Sequence, residues 1–300
     1  MIPVEPMELR EHIKHFDTDI KKTILSIAEA SKTISKGFVT RQSVTSTSNV
    51  YGEKQVAMDK WADELLINEL GKNGVVKTIT TEEQPTILEF ESPSDIGLAI
   101  DPLDGSSLIG INLTVGTIIG IYHGNVLRPG SEMAGALYIL YGPLTVLVYS
   151  LGDGVHEFVL NDEGEYVLQE ENIRIPDGNI YAPGALRIEW LPYHIKWIEQ
   201  LESEGYKVRY SGSFVADVHQ ILHKGGVFTY PAYKDKAKGK LRLLYECVPM
   251  GYIVSQAGGA ASDGERDILT IQPESIQQRT PIYIGGRREI QLIEKMKEGN

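Results

Sequence analysis

Two pairs of acidic residues stand where the sequence predicts that buried strands end. Asp101 and Asp104 follow the apolar run IGLAI, and Glu82 and Glu83 follow the run VVKTIT. Ligands of layered α/β folds bind at the carboxyl ends of strands, so the two pairs can converge on one site. Mutual repulsion raises the pKa of such carboxylates unless cations lie between them, and hard oxygen ligands suit Mg²⁺ or Mn²⁺. The pattern therefore predicts a divalent metal site.

The residues directly after the second aspartate favour an anion. Gly105 lets the backbone approach a ligand closely, and the N–H groups of a turn formed with Ser106 and Ser107 can bind phosphate. An ordinary Asp-Pro or Asp-Gly turn is the alternative explanation of DPLDG alone. Carboxylates for metals beside N–H groups for a phosphate indicate phosphoryl chemistry.

Three further acidic residues are candidates for the same site. Glu246 lies in the apolar stretch LRLLYECVPMGYIV, where a carboxylate is costly unless it is paired or bound to a metal. A salt bridge to Arg242, one helical turn earlier, is the alternative. Asp59 opens the stretch MDKWADELL and is either a site residue or a helix N-cap. Glu64 lies on the following turn and is by default exposed to solvent.

Basic and aromatic side chains in the second half of the chain could bind a second phosphate. The basic groups supply charge, and tyrosine hydroxyls supply neutral donors. Any one of these residues alone is usually a surface residue. The set consists of Arg209, Tyr210, Tyr230, Lys240 and Arg242.

The composition limits the class of protein. A chain of 300 residues that is 42% hydrophobic can bury a sizeable core. The net charge of −12 argues against nucleic acid and anionic membranes as partners, although metal ions can still attract an anionic small molecule. Apolar runs fall short of the ~18–20 residues that span a bilayer, and the N-terminus lacks a signal-peptide pattern. We therefore expect a cytoplasmic location.

Cysteine and histidine usage gives two further expectations. Cys247 is the single cysteine, so an intrachain disulfide is impossible, and we expect a small buried hydrophobe. The seven histidines show no zinc-like spacing with other good ligands. His12 and His15 could share a helix face, where we expect them to be exposed to solvent.

The pattern of elements predicts a layered α/β or α+β architecture. Helical spacing covers residues 8–36 and resumes in MDKWADELLINELGKNG, with a mobile loop over 37–55 between them. Strands dominate after DPLDGSS, including a hairpin around Asn161–Gly164. Helices and strands alternate from residue 173, and a helix is predicted over LRLLYECVPMGYIVSQAGG, in which Pro249 either kinks the helix or starts its second part.

These residues resemble the family of fructose-1,6-bisphosphatase and sedoheptulose-1,7-bisphosphatase, among the lithium-sensitive, metal-dependent phosphatases related to inositol monophosphatase. The matching pieces run in family order over about 250 residues, and DPLDGSS with LRLLYE is the most specific pair. The pieces are SNVYGEKQVAMDKWADELLIN, TEEQ, DPLDGSS, TVGTIIGIY, SGSFVADVHQIL, GGVFTYP, GKLRLLYECVPMGYIVSQAGG and QRTPIYIGG.

The resemblance implies a sugar phosphatase fold of alternating helix and sheet layers, αβαβα. Residues 1–172 would form a half that binds metal and phosphate, and residues 173–300 a half that binds the sugar phosphate. The resemblance also implies a homo-oligomer, either a dimer or a tetramer. Its cofactor would be Mg²⁺, with Mn²⁺ as a substitute and two or more ions per subunit. The implied metal ligands are Asp59, Glu82, Asp101, Asp104, Glu246 and the Leu103 carbonyl.

The same resemblance implies roles for the remaining candidates. Glu83 with Glu64 would draw the proton from the attacking water, with Asp59 beside them. The 1-phosphate would rest on Gly105 and Ser106, next to Ser107. The other phosphate would meet Tyr210, Tyr230 and, from a neighbouring subunit, Arg209. Lys240 would contact the sugar or its phosphate, with Arg242 nearby.

One departure concerns the choice of sugar. The stretch IYAPGALR, residues 180–187, is closer to the Ser-Pro-Gly-x-x-Arg pattern of sedoheptulose bisphosphatases, so Arg187 would bind phosphate. We expect hydrolysis of the 1-phosphate of fructose 1,6-bisphosphate, with sedoheptulose 1,7-bisphosphate as the second candidate. An inositol monophosphatase-like enzyme would carry a late Trp-Asp motif, which is not found. A non-catalytic sugar-phosphate sensor would lose one of the five metal-binding acids, and none is missing.

Overall fold

The structure is a computed structural model that describes residues 7–38, 44–48, 54–72 and 74–298. Its helices are α1 (Leu9–His12), α2 (Thr18–Gly37), α3 (Ala57–Lys72), α4 (Pro192–Ser203), α5 (Phe214–Lys224), α6 (Val248–Gln256) and α7 (Arg287–Glu298). Its strands are β1 (Val44–Ser48), β2 (Lys54–Val56), β3 (Thr78–Thr81), β4 (Leu88–Glu89), β5 (Ile96–Asp104), β6 (Val115–His123), β7 (Gly135–Tyr141), β8 (Thr145–Ser150), β9 (His156–Leu160), β10 (Tyr166–Glu170), β11 (Ile180–Pro183), β12 (Lys207–Val208), β13 (Val227–Tyr230), β14 (Leu241–Arg242), β15 (Ala260–Ser262), β16 (Arg279–Thr280) and β17 (Ile282–Gly285).

Two large sheets organise the described chain. The first has eight strands in the order β10-β9-β8-β7-β6-β5-β3-β4, and it is antiparallel except where β3 runs parallel to β5. The second has five strands in the order β12-β11-β13-β17-β15, of which β12, β11 and β13 are parallel. Strand β5 is buried along its whole length because both faces of the first sheet are covered. This burial explains the apolar run that precedes Asp101.

The sheets alternate with three helical layers. Helices α2 and α3 pack on the outer face of the eight-stranded sheet, where Ile24 and Leu66 share a core with Ile119. Helices α5 and α6 lie between the two sheets and share the largest core with residues of both. Helices α4 and α7 cover the outer face of the five-stranded sheet, where Trp197 and Ile290 pack together. The αβαβα layering predicted from the sequence is confirmed.

The predicted helix over residues 8–36 is two helices. The side chain of Asp17 accepts hydrogen bonds from the N–H groups of Asp19 and Ile20 and so caps α2. The predicted loop over residues 37–55 is wrong in its described part, since β1 and β2 form an antiparallel pair there. Residues 39–43 and 49–53 of that loop lie outside the described residues.

The predicted helix over LRLLYECVPMGYIVSQAGG is also divided. Its first two residues form β14, a π-helical turn follows over Leu243–Cys247, and α6 begins at Val248. Pro249 lies in the first turn of α6, where a missing N–H costs no helical hydrogen bond. Of the two alternatives, Pro249 therefore starts the second part of the element.

Residue burial bears on the expectations for cysteine and histidine. Cys247 is buried and free, as predicted, and His15 is exposed. The expectation for His12 is wrong, because this residue is only 9% exposed where α1 packs against the first sheet.

The predicted division after residue 172 falls between β10 and β11 and stays a prediction, since the central core holds residues from both sides of it. Within the described chain, every helix is too short or too polar to cross a bilayer.

Candidate active site

A cavity of about 330 Å³ lies at the carboxyl end of β5, where the two large sheets and the central helices meet. A volume of this size accommodates a small-molecule ligand. The lining residues are Asp59, Glu82, Glu83, Asp101, Leu103, Asp104, Gly105, Ser106, Ser107, Tyr210, Gly212, Phe214, Phe228, Tyr230, Lys240, Leu241 and Glu246.

The parallel pairing of β3 with β5 brings the two acidic pairs together. Thr81 is paired with Ile100, and the N–H of Glu82 donates to the Ile100 carbonyl at 3.0 Å. Both strands therefore end at the same edge of the sheet, and their acidic pairs enter one cavity.

The π-helical turn brings a fifth carboxylate to this cluster. One carboxylate oxygen from each of Asp101, Asp104 and Glu246 lies within 4.8 Å of the other two. The backbone N–H of Arg242 donates to Oε2 of Glu246 at 2.5 Å and fixes that side chain. The Arg242 guanidinium lies 3.4 Å from Oε1 of Glu82. Arg242 is only 2% exposed and is not part of the cavity lining, so it contacts the carboxylate cluster from the protein interior.

Asp104 is held by the start of α5, a contact that the sequence reading missed. The Ser213 hydroxyl donates to Oδ2 of Asp104 at 2.9 Å, and the Val215 N–H donates to the same oxygen at 2.8 Å. Gly105 has a φ of +77°, and a Cβ there would lie 3.0 Å from the Ser213 Cβ. Both the backbone conformation and the close approach therefore favour glycine. The sequence feature that could have revealed this helix start is SGSF before an apolar helical run, because serine is a common helix N-cap. Ser213 is the N-cap of α5.

Burial and repulsion shape the charges of the cluster. Burial raises the pKa of Asp101 and of Glu246 well above the ordinary range, and the Glu82 charge adds to both shifts. Burial and then the Glu83 charge raise the pKa of Asp59, which a hydrogen bond from Ser106 partly opposes. Burial also raises the pKa of Asp104, against the hydrogen bonds from Val215 and Ser213. Clustered buried carboxylates of this kind fit hard divalent cations such as Mg²⁺ or Mn²⁺.

The opposite wall of the cavity carries neutral donors and one cation. Burial and the neighbouring Tyr230 raise the pKa of Tyr210 to about 12, so its hydroxyl keeps its proton at neutral pH. The Lys240 ammonium lies 5.4 Å from the centre of the Tyr230 ring. Together these groups suit an anionic group of a ligand.

Glu64 is placed outside the cavity. It lies five residues after Asp59 on α3, which turns its side chain by about 140° around the helix and leaves it exposed. Asp63, at the i+4 position, shares the face of Asp59, is 1% exposed and accepts a hydrogen bond from the Gln84 amide at 2.5 Å. The i+4 spacing from Asp59 could have identified Asp63 from the sequence. The position of Glu64 gives no support to its predicted role in proton removal.

Two predicted phosphate ligands also lie away from the cavity. Arg187 is exposed, and its guanidinium forms an ion pair with Glu199 at 3.1 Å. Arg209 is exposed and donates to the Val208 carbonyl at 2.9 Å. The structure therefore brings Tyr210, Tyr230 and Lys240 together. The three predicted arginines, Arg187, Arg209 and Arg242, all lie outside the cavity lining.

The alternating layers and the buried carboxylate cluster define the class of metal-dependent phosphatases. Residues 6–171 match the family model described as fructose-1-6-bisphosphatase, N-terminal domain, and residues 175–298 match the model of its C-terminal domain. The chain belongs to the fructose-1,6-bisphosphatase class 1 family.

Individual members of this family match the chain over nearly their whole length. The chain is 48% identical to fructose-1,6-bisphosphatase class 1 of Methanocorpusculum labreanum, covering 96% of this chain and 91% of that protein. It is 47% identical to the protein of the same description from Geobacter sulfurreducens, covering 95% and 93%. The crystal structure of Leishmania major fructose-1,6-bisphosphatase in holo form superposes with a TM-score of 0.93 at 31% identity, covering 98% of this chain and 100% of that one. These relatives favour fructose 1,6-bisphosphate hydrolysis over the sedoheptulose, inositol and sensor alternatives.

Proposed function

We propose that the protein hydrolyses the 1-phosphate of fructose 1,6-bisphosphate to fructose 6-phosphate and phosphate. The observation that carries this proposal is the convergence of six acidic residues on one cavity, in a chain of the fructose-1,6-bisphosphatase class 1 family. These residues are Asp59, Glu82, Glu83, Asp101, Asp104 and Glu246. The reaction belongs to sugar phosphate metabolism and gluconeogenesis.

The buried carboxylates hold the divalent cofactor, which is Mg²⁺ with Mn²⁺ as a substitute, in two or more ions per subunit. Asp101, Asp104 and Glu246 form the core of this site, with Asp59, Glu82 and the Leu103 carbonyl beside them. A bound divalent ion polarises the phosphoryl group and lowers the pKa of water. The hydrogen bonds to Asp104 and Glu246 keep these ligands oriented before the ion arrives.

Glu83 accepts the proton of the attacking water. It lines the cavity, and its charge is the first neighbouring charge that raises the pKa of Asp59. Asp59, which lines the same cavity, is therefore the carboxylate proposed to act with Glu83.

The substrate is held at its two ends. Gly105, Ser106 and Ser107 bind the 1-phosphate next to the carboxylates, where the in-line attack takes place. Tyr210, Tyr230 and Lys240 bind the other phosphate and the sugar on the opposite wall.

A homo-oligomer, either a dimer or a tetramer, belongs to the same proposal. Arg209 follows β12, the edge strand of the five-stranded sheet, and its exposed side chain is accessible to a neighbouring subunit. A cytoplasmic location stays a prediction.

Metal removal tests the proposed reaction. Chelated protein should release no phosphate from fructose 1,6-bisphosphate, because the repelling carboxylates cannot bind a phosphoryl group alone. Added Mg²⁺ or Mn²⁺ should restore release, and lithium should inhibit it. Phosphate release is measured from fructose 1,6-bisphosphate, sedoheptulose 1,7-bisphosphate and inositol 1-phosphate in parallel. Full activity in excess chelator, or faster turnover of either other substrate, contradicts the proposal.

Lys240 is expected to contribute more to substrate affinity than Arg187. Lys240→Ala should raise KM about 10-fold, since it removes a charge-assisted hydrogen bond, with a smaller change in kcat. Arg187→Ala is the matched control and should leave KM within about 2-fold, because its guanidinium is engaged with Glu199. An equal rise in both variants would show that Arg187 leaves Glu199 and enters the cavity with substrate.

A further inference from the structure

We propose that the protein has a second metal site, for a divalent transition ion of the Zn²⁺ type, at the opposite end of the eight-stranded sheet. Its ligands are His12 of α1, His156 of β9, Glu171 after β10, and Asp153 in the turn before β9. Strand β9 lies four strands from β5, roughly 19 Å across the sheet, so this site is separate from the cavity. The inference does not depend on the proposed hydrolysis.

Three of the four proposed ligands lie close to one another, and the fourth, Asp153, lies beside His156. One candidate atom from each of His12, His156 and Glu171 lies within 4.8 Å of the other two. His12 Nε2 is 3.3 Å from Oε1 of Glu171, and His156 Nε2 is 3.7 Å from Oδ1 of Asp153. Zinc bonds of about 2.0–2.1 Å at tetrahedral angles place neighbouring ligand atoms about 3.3–3.4 Å apart. His12, His156 and Glu171 therefore need only small side-chain adjustments to bind one ion, and Asp153 is the proposed fourth ligand.

The burial of His156 is the independent observation that points to a ligand. The residue is 2% exposed, and neither of its ring nitrogens has a hydrogen-bond partner among the described residues. A buried imidazole without partners is costly, and native structures rarely keep one. A metal ion bound to Nε2 removes the cost at that nitrogen, because the ion accepts its lone pair.

The surroundings of His12 resemble those of a metal-bound histidine. Its Nδ1 is 2.5 Å from the Tyr149 hydroxyl, and this contact turns Nε2 toward Glu171. A hydrogen bond on the second ring nitrogen is the usual way that proteins orient a metal-binding imidazole. The side chains of Glu171 and Asp153 are 55% and 37% exposed, so the ion has a path from solvent.

Ligand type separates this site from the active site. Two imidazoles with two carboxylates favour Zn²⁺, whereas an all-oxygen cluster favours Mg²⁺. The ion would connect the N-terminal helix α1 to the hairpin of β9 and β10 and so fix the N-terminal segment on the sheet.

A second histidine and carboxylate group provides a matched comparison. It consists of Glu157, His219 and His223. There, His223 Nε2 is already 2.8 Å from Oε2 of Glu157, and His219 Nδ1 is 2.8 Å from the Tyr138 hydroxyl. Neither histidine of this group is buried without a hydrogen-bond partner, as His156 is, so we assign no ion to it.

The test is a Zn²⁺ titration of the full chain in saturating Mg²⁺, by calorimetry and by metal analysis after gel filtration. Wild type and Asp101→Asn should each retain one Zn²⁺ per chain. His12→Gln and His156→Gln should each weaken binding about 100-fold or more, while His223→Gln should not. Zn²⁺ at about 100 times its Kd should raise the wild-type Tm by about 5 °C and leave that of His156→Gln unchanged.

Several results would overturn the proposal. Zn²⁺ lost in Asp101→Asn alone would place the ion in the active site, and loss in His223→Gln would place it in the other group. Unchanged binding in His156→Gln would show adventitious surface binding. Co²⁺ titration of the unmodified chain covers the case in which a variant fails to fold. Intense visible absorption from a four-coordinate ion supports the site, and only the weak bands of a six-coordinate ion contradict it.

Discussion

Glu83→Gln is expected to lose about 10²–10⁴-fold in kcat while substrate affinity changes little, because a positioned general base contributes that much. The substitution keeps the shape of the side chain but removes its ability to accept a proton. The proposed metal ligands and the Gly105 turn proposed to bind phosphate are unchanged. The measurement is kcat and KM for fructose 1,6-bisphosphate at saturating Mg²⁺. Wild-type kcat in this variant would exclude Glu83 as the base.

Glu82→Gln is the matched control for the neighbouring position. Glu82 lies within the electrostatic reach of Asp101 and Glu246 and forms an ion pair with Arg242 at 3.4 Å. We expect this variant to raise the Mg²⁺ concentration for half-maximal activity, so that extra Mg²⁺ restores part of the rate. Rescue of Glu83→Gln by Mg²⁺, with no rescue of Glu82→Gln, would mean that the two roles are reversed.

Asp101→Asn is expected to stabilise the metal-free protein while it abolishes most of the activity. Asp101 is 5% exposed and faces the charges of Glu82, Asp104 and Glu246. Removing one buried like charge should raise the free energy of unfolding by about 1–2 kcal/mol, a common gain at strained functional sites. Loss of a metal ligand should lower kcat/KM by more than about 100-fold. Asp162→Asn, on the exposed turn between β9 and β10, is the control for charge removal alone.

The pH dependence of stability gives the same variant a second readout. Burial raises the pKa of Asp101 in the folded protein above its unfolded value of about 3.9. Between pH about 4 and the folded pKa, the metal-free folded state binds more proton at Asp101 than the unfolded state does. The contribution of Asp101 to the free energy of unfolding therefore falls as pH rises through this range. Chemical denaturation at several pH values should show this slope in wild type and a smaller slope in Asp101→Asn. Equal slopes would contradict the electrostatic account of the cluster.

The sequence predicted the parts of the site that depend on local pattern. The run IGLAI followed by two aspartates indicated a buried strand that ends at a ligand, and β5 ends in this way. The layered fold followed from alternating periodicities together with the family resemblance. The helical spacing in α3 could also have been used. It places Asp63 rather than Glu64 on the face of Asp59, although the sequence analysis did not apply it.

Features that depend on distant contacts were not predictable in the same way. The π-helical turn that carries Glu246 has no propensity signal in LRLLYEC, and its backbone hydrogen bond from Arg242 appears only in the folded chain. The ion pair that draws Arg187 to Glu199 depends on the docking of α4. His12 and His156 are 144 positions apart in the sequence, so their spacing could not reveal that the rings lie 4.6 Å apart.

The hydrogen bonds between Asp104 and the start of α5 also determine when the site can form during synthesis of the chain. Ser213 is made 109 residues after Asp104, and Glu246 later still. A nascent chain that has emerged only as far as β10 therefore carries five of the six carboxylates that line the cavity, without the donors that orient Asp104 and without Glu246. The two sides of the central core also come from early and late parts of the chain. The site is consequently complete only after Glu246 and the Arg242 N–H that holds it have been synthesised.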